Sequence, residues 1–312
     1  MSQPIAPDLS IVIVNWNTRD LLDACLRSVL EEAAAARLEV EIFVVDNAST
    51  DQSADMVRRQ YPDVTLIENS YNPGFAVANN QALVLAKGRY SLLLNPDTVV
   101  LADGLGALVR FMDEHPEAGA AGARLLNANG SLQRSCSPEP TLSRELWRLF
   151  HLDDFKPQGV YAMRKWPVDE PRQVDVVQGA AMIVRAAVLE QVGLLDGGYF
   201  MYSEEVDWCT RIRQGGWRIY WVPTARIIHY GGQSARQIAD AMFLQLYRGK
   251  VQYFHKHWGK TTTGAYKVVL GCATLARIAL TPLVWIEPEP LRRHHLNRAR
   301  QYRKLLRTLP SL

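Results

Sequence analysis

Between residues 9 and 95 the chain repeats one pattern: four short strand-like runs, with a helix-length stretch between each pair. The runs are "LSIVIVNWN" (9–17), "EVEIFVVDN" (39–47), "VTLIEN" (64–69) and "YSLLLN" (90–95). Between the first two, "RDLLDACLRSVLEEAAAA" (19–36) carries Leu22, Leu26, Val29 and Leu30 at helical spacing. Next, "STDQSADMVRRQY" places Ser49 and Gln52 as a capping box, and "GFAVANNQALVLAKG" reads as a third helix. Connections of this length are crossovers between parallel strands, and such crossovers are almost always right-handed. The expected fold is α/β: a Rossmann-like, mostly parallel sheet flanked by helices.

Beyond residue 130 the pattern loosens. Residues 130–172 are rich in Pro, Arg and Trp and read as a long excursion, either lying over a site or partly mobile. "VDVVQGAAMIVRAAVLEQVG" (174–193) reads as strand then helix, and "SEEVDWCTRIRQGG" (203–216) as a helix closed by glycine. "WRIYWVPTARIIHYGG" (217–232) reads as two short strands, and the remainder as helix. This divides the chain into a domain over 1–240, with halves at 8–130 and 173–240, and a helical, basic extension over 241–312.

Composition narrows the class. Four cysteines, Cys25, Cys136, Cys209 and Cys272, lie far apart with no CxxC pair, which argues against a zinc ribbon or disulfide framework. "MSQPIAPDLS" lacks a basic and apolar leader, so a cytoplasmic protein is expected. Of the net +3, seven Arg and Lys lie after Pro290 with no acid among them, leaving −4 on the rest. No basic face interleaved with aromatics appears in the main domain, so nucleic acid is not an expected partner.

The polar residues cluster at strand ends. The first strand ends Val14-Asn15-Trp16-Asn17, the second Asp46-Asn47, the fourth Asn95-Pro96-Asp97. Each alone is ordinary turn chemistry. In a parallel sheet, however, all three lie on one edge, where open α/β sheets bind ligands. Asp46 can accept from a ribose hydroxyl or base N–H, and Asn15 and Asn17 can serve base or ribose edges. "NSYNPGFAVANN" adds Asn72, Gly74 and Asn79 at a loop-to-helix junction suited to anions. The expected ligand is a nucleotide. Neither a dinucleotide fingerprint nor GxxxxGK[ST] occurs; "DGLGALV" (103–109) lacks the third glycine.

"IVIVNWN", "VVDNASTD", "NPGFAVANN", "LLLNPDT", "GAAMIVR", "YFMYSEEVDWCTRIRQGGW" and "IIHYGGQS" occur in the order seen in glycosyltransferase family 2. Over roughly 8–260 the chain resembles that family, and within it the rhamnosyltransferase-like bacterial branch. The resemblance implies a GT-A fold, a nucleoside-diphosphate sugar donor and inversion at the anomeric carbon. Asp46 then matches the nucleoside-binding aspartate, and Asn95-Pro96-Asp97 stands where the family has DxD. Asp97 is the implied metal ligand, with Asn95 in place of the first acid, and His229 the histidine completing the site. The implied cofactor is Mn²⁺ or Mg²⁺, bridging the diphosphate as a Lewis acid.

Direct displacement needs one general base. At 100° per residue Glu205 shares a stripe with Trp208, Cys209 and Ile212, which should pack inward. Glu204, Asp207 and Arg211 lie on the flanking stripe, where Asp207–Arg211 forms an i,i+4 pair. Glu205 is the favoured base, with Glu204 and Asp207 behind it. Trp147, Trp166 and Tyr199 are candidates for stacking on an acceptor sugar.

The apolar run 268–286, "VVLGCATLARIALTPLVWI", is interrupted by Arg277 and Pro282 and falls short of a membrane span. After it, Leu291, His295, Ala299, Tyr302, Leu306 and Leu309 recur at helical spacing among arginines, the pattern of a helix on an anionic membrane surface. The alternative is a solvated helix packed on the protein. The first reading implies peripheral membrane contact through 268–312, at the inner face of the cell membrane, and a lipid-linked glycan as acceptor. A plain glycan acceptor and a homo-oligomer stay open. dTDP-rhamnose is the donor the resemblance favours, ahead of UDP-hexoses. The rival readings are a sugar-1-phosphate nucleotidyltransferase, which lacks its glycine-rich loop here, and a non-catalytic nucleotide-sugar-binding protein.

Overall fold

In the computed structural model, which describes residues 6–281 and 289–312, the four runs form β1 (Leu9–Asn15), β2 (Val40–Asp46), β3 (Thr65–Glu68) and β4 (Tyr90–Leu94). They are joined through α1 (Arg19–Ala36), α2 (Ser53–Gln60) and α3 (Phe75–Leu83). There follow β5 (Thr98–Val100), α4 (Gly104–Glu114), β6 (Ala118–Leu126), β7 (Cys136–Ser137) and α5 (Leu142–Leu149). Next come β8 (Arg172–Val174), β9 (Val176–Val177), β10 (Ala181–Arg185), α6 (Ala186–Val192), α7 (Glu204–Gln214) and β11 (Arg218–His229). The chain ends in α8 (Gln233–Arg236), α9 (Ala239–Ala279) and α10 (Glu289–Thr308).

Among the described residues, nine strands join one sheet in the order β3-β2-β1-β4-β10-β6-β11-β5, with β8 paired to β11. The first four strands are parallel as expected. β10 then runs antiparallel to both β4 and β6. It is reached through the irregular 130–172 excursion instead of a helical crossover, so nothing obliges it to be parallel.

β1 and β4 are buried along their whole length. α1 adds Leu22, Cys25, Leu26 and Val29 to the same buried core, whereas Leu30, at the edge of the predicted stripe, stays 40 % exposed. Each fully buried aliphatic side chain of this kind contributes about 1.5–3 kcal/mol.

Three local expectations are corrected. The Ser49–Gln52 capping box does not form: Gln52 is left-handed (φ 68°), and Asp51 Oδ1 accepts from Ser53 N (3.1 Å) instead. Residues 217–232 give one strand, not two. β11 continues through a bulge between Val222 and Arg226, where Pro223 has no N–H for the ladder. The excursion is structured, holding β7, α5 and two short 3₁₀ turns.

The chain divides into two compact units. One comprises Met1–Glu139, Ala162–Phe200 and Glu204–Gln237; the other Pro140–Tyr161, Met201–Ser203 and Ile238–Leu312. In the second unit α5, α9 and α10 enclose a core of Leu149, Phe243, Tyr247, Phe254, Tyr266, Leu270, Leu305 and Leu309. Buried Glu145 accepts from Arg148 Nη2 and from Lys250 Nζ, each at 2.7 Å. α9 bends at Gly259, whose φ of 75° breaks the helical run.

α10 buries Ala299 and Leu305, the turn after it buries Leu309, and Tyr302 stands edge-on to Phe243. Of the apolar stripe expected to lie on a membrane, Ala299 and Leu309 are buried on the protein itself, while His295, Tyr302 and Leu306 are half-buried. Burial there removes apolar area from water without a lipid partner. Residues 282–286 and the Leu291 side chain lie outside the described residues. Among the described residues no helix is long and apolar enough to cross a membrane.

Candidate active site

At the carboxyl edge of the parallel strands, Asp46 is buried and its two oxygens are engaged. Oδ1 accepts from Asn15 Nδ2 (2.8 Å) and Oδ2 from Ser49 N (2.8 Å). Asn15 also donates to Ser49 Oγ (3.1 Å) and accepts from the Thr18 hydroxyl (2.7 Å). This corrects the expectation for Asn15: wholly buried, it holds Asp46 and the loop after β2 in place. The Val14 side chain is likewise buried and offers the rim only its backbone.

Asn17 is half-buried at the lip, its Oδ1 accepting from Thr50 N (2.7 Å). Asn17, Ala48 and Gln52 all have positive φ without being glycine. Such strained backbone clusters at ligand sites. A cleft of about 390 Å³ opens beside Asn17, walled by Arg19, Asp51, Gln233 and Gln237.

The Asn72–Asn79 junction turns its polar groups inward. Gly74 N donates to Asn72 Oδ1 (2.9 Å) and Phe75 N to Phe200 O (2.7 Å), so the backbone donors expected to meet an anion are used within the protein. Gly74 has φ 93°, and a Cβ there would lie 2.4 Å from Phe200 O; only glycine fits. Asn79 is 1 % exposed and donates to Phe75 O (2.8 Å), while its Oδ1 has no hydrogen-bond partner among the described residues.

Asp97 and His229 meet. Antiparallel pairing of β5 with β11 sets His229 opposite Thr98, and Tyr230 N donates to Asp97 O (2.9 Å). Asp97 Oδ1 lies 3.3 Å from His229 Nε2, and both side chains are buried. Asn95 Nδ2 lies 3.2 Å from the same Nε2, and Gln233 N donates to Asp97 Oδ2 (3.4 Å). Pro96 is buried between them in sequence. His229 Nδ1 sits 2.6 Å from Gln133 Oε1.

The acids of α7 separate into three environments. Asp207 is fully buried and takes Arg211 Nε at 2.8 Å, the expected i,i+4 pair, and Arg211 also ties Val192 O and Leu194 O. Glu205 is half-buried, and its Cβ lies 3.6 Å from where a Gly179 Cβ would stand, beside the Phe75 ring. Ala180, next in chain, accepts from Asn95 N (2.9 Å), so one peptide links the Glu205 surroundings to the Asn95–Asp97 turn. Glu204 is 5 % exposed, deeper than its flanking stripe suggested, and its Oε2 has no hydrogen-bond partner among the described residues. The stacking candidates are otherwise occupied. Trp147 donates to Lys156 O (2.7 Å), Trp166 packs edge-on to Trp221, and Tyr199 is wholly buried.

The model of the glycosyl transferase family 2 matches residues 10–188, more than half of the chain. The chain belongs to glycosyltransferase family 2. It is 27 % identical over 241 residues to N-acetylglucosaminyl-diphospho-decaprenol L-rhamnosyltransferase of Mycobacterium tuberculosis, covering 72 % of this chain and 77 % of that protein. It is 26 % identical over 248 residues to rhamnosyltransferase WbbL of Escherichia coli, covering 75 % and 87 %. Its fold superposes on the mannosyltransferase of Pyrobaculum calidifontis in complex with GDP-Man and Mn²⁺, with a TM-score of 0.58, 19 % identity and coverage of 99 % and 88 %. The fold is GT-A and the protein a glycosyltransferase, which closes the nucleotidyltransferase and non-catalytic readings.

Burial, and then the Glu205 charge beside it, push the Glu204 carboxyl well above the ordinary carboxylate range. Burial pushes the Cys25 thiol up to about 12, which leaves it inert, and the described residues hold no disulfide. Two rim residues escaped the sequence reading. Sequence pattern makes Ser49 a helix cap, and Gln133 lies past an Asn-Gly turn whose partner strand only the fold identifies.

Proposed function

We propose that the protein transfers rhamnose from dTDP-rhamnose, with inversion and with a divalent ion, to a glycan or lipid-linked glycan in cell-envelope polysaccharide synthesis. The observation that carries this reading is the buried Asp97 Oδ1–His229 Nε2 approach of 3.3 Å at the rim of the parallel strands. A carboxylate oxygen and an imidazole nitrogen facing each other suit a cation as third party. Among the described residues no group of three or more His, Cys, Asp or Glu could hold a metal, so the remaining ligands would be water and diphosphate oxygens. That is how Mg²⁺ and Mn²⁺ are held beside phosphates, and the nitrogen ligand favours Mn²⁺. Asp97 and His229 would hold the ion, whose Lewis acidity stabilises the departing diphosphate.

The chain's own groups carry the rest. Asp46 orients the nucleoside from its Asn15–Ser49 cradle. Glu205 takes the proton from the acceptor hydroxyl as that oxygen attacks the anomeric carbon opposite the leaving group. Glu204, held protonated, puts no second negative charge directly beside Glu205 and so keeps Glu205 a competent base.

The donor assignment rests on the two rhamnosyltransferase relatives. Nucleotide sugars screened for thermal stabilisation with Mn²⁺ present test it. At a concentration about 100 times its Kd, dTDP-rhamnose should stabilise the fold by about 2.7 kcal/mol. Stabilisation and turnover by a UDP-hexose, with none by dTDP-rhamnose, would overturn the donor.

Within the expected contact over 268–312, the membrane part of the reading centres on the end of α9, where Val268, Leu275 and the following Leu280 are exposed. Anionic vesicles are expected to float the full chain, and the Val268→Asp, Leu275→Asp double variant to stay in the pellet fraction. Equal flotation of both would remove α9 from the interface.

A further inference from the structure

We infer that Gln133 is a positioning residue that holds His229 in the tautomer protonated at Nδ1, leaving the Nε2 lone pair turned toward Asp97. The inference rests on the Asp97–His229 metal reading and deepens it.

The amide orientation of Gln133 follows from its partners. Its Nε2 lies 3.0 Å from His229 O, a backbone carbonyl that can only accept, so the amide nitrogen must point there. The same nitrogen donates to Asn127 Oδ1 (3.1 Å), and Asn127 in turn gives its own Nδ2 to Ser131 Oγ (2.9 Å). The Gln133 oxygen is thereby left facing His229 Nδ1 at 2.6 Å. An amide oxygen cannot donate, so the proton between them belongs to Nδ1. In the neutral ring Nε2 is then bare, 3.3 Å from Asp97 Oδ1. Asn95 Nδ2, at 3.2 Å, donates into that lone pair and would yield it to a cation.

Topology makes the arrangement. β6 pairs with β11 so that Leu126 stands beside Ile228. The turn that follows, with Gly130 at φ 78° and Asn127 N bonded to Ser131 O (2.8 Å), sends the chain back, and Gln133 N reaches Leu125 O (2.9 Å). Gln133 therefore arrives alongside the residue after Ile228. A metal-binding histidine commonly donates its second ring N–H to an outer partner that sets its tautomer, and loss of such a partner costs about 10–100-fold in metal affinity.

The test uses the full chain with ¹⁵N-labelled histidine. Long-range ¹H–¹⁵N spectra, with His229 assigned by its loss in His229→Gln, should show Nδ1 protonated and Nε2 bare in the metal-free protein. Gln133→Leu should move the proton to Nε2 and weaken Mn²⁺ binding, followed by electron paramagnetic resonance with MnCl₂ and dTDP, by about 10–100-fold. Gln133→Glu, whose carboxylate can still accept from Nδ1, should restore both the ring signature and the affinity. A wild-type ring protonated at Nε2, or Gln133→Leu with unchanged tautomer and affinity, overturns the inference even if Mn²⁺ binds. A wild-type ring protonated at Nδ1 with no Mn²⁺ bound by any variant supports the positioning role and defeats the metal reading instead.

Discussion

Asp97→Ala is expected to lower sugar transfer by about 10³-fold or more, with the melting profile little changed. Asp97 sets a carboxylate at the rim beside His229, and a bound cation stabilises a leaving diphosphate by several kcal/mol, each 1.4 kcal/mol being a factor of ten. The fold should survive, because the backbone oxygen of Asp97 still accepts from Tyr230 N and the β5–β11 pairing does not need the side chain. His229→Ala should cost less and recover in part with excess Mn²⁺, since an imidazole brings a lone pair but no charge. Rates of transfer and of donor hydrolysis against Mn²⁺ concentration measure both. Turnover that is the same without any divalent ion would falsify the arrangement.

Glu205→Gln is expected to lower kcat by about 10²–10⁴-fold, the usual worth of a general base, while the donor KM changes little. Glu204→Gln should leave kcat within a few-fold and stabilise the protein at neutral pH. The sign follows from linkage. The folded state raises the Glu204 carboxyl above the unfolded value near 4.5, so the native protein keeps a proton that the unfolded chain releases. The contribution to stability is complete below that value and is lost as pH rises toward the folded one. The advantage of glutamine should therefore vanish in acid and grow above about pH 5. Thermal melts across that window, paired with kcat, separate the two residues. An inactive Glu204→Gln beside an active Glu205→Gln would exchange their roles.

Much of this protein is legible without coordinates. Buried runs joined by helix-length crossovers determine a parallel α/β sheet, because neither hairpins nor half-buried strands are compatible with them. The acid behind a proline at residue 97 announces a rim position, since Pro96 stops ladder pairing. The Asp207–Arg211 pair follows from helical spacing alone.

What helical and strand periodicity cannot supply is the partner across the sheet. Asn15 and Asp46 look alike as rim ligands in sequence, yet the parallel register of β1 and β2 sets them side by side and turns Asn15 into the support of Asp46. The backbone donors after Asn72 look available until Phe200, far along the chain, accepts one of them. The order of burial within Glu204-Glu205 escaped a 100° wheel, which counts one buried face where packing here covers two. Gln133, with no motif around it, acquires its place only because β6 and β11 lie parallel and end together. Local sequence determined the elements and the edge at which chemistry collects; long-range pairing, whose energy lies in contacts between residues 31 to 134 positions apart, decided which of those polar groups face a ligand and which hold the others still.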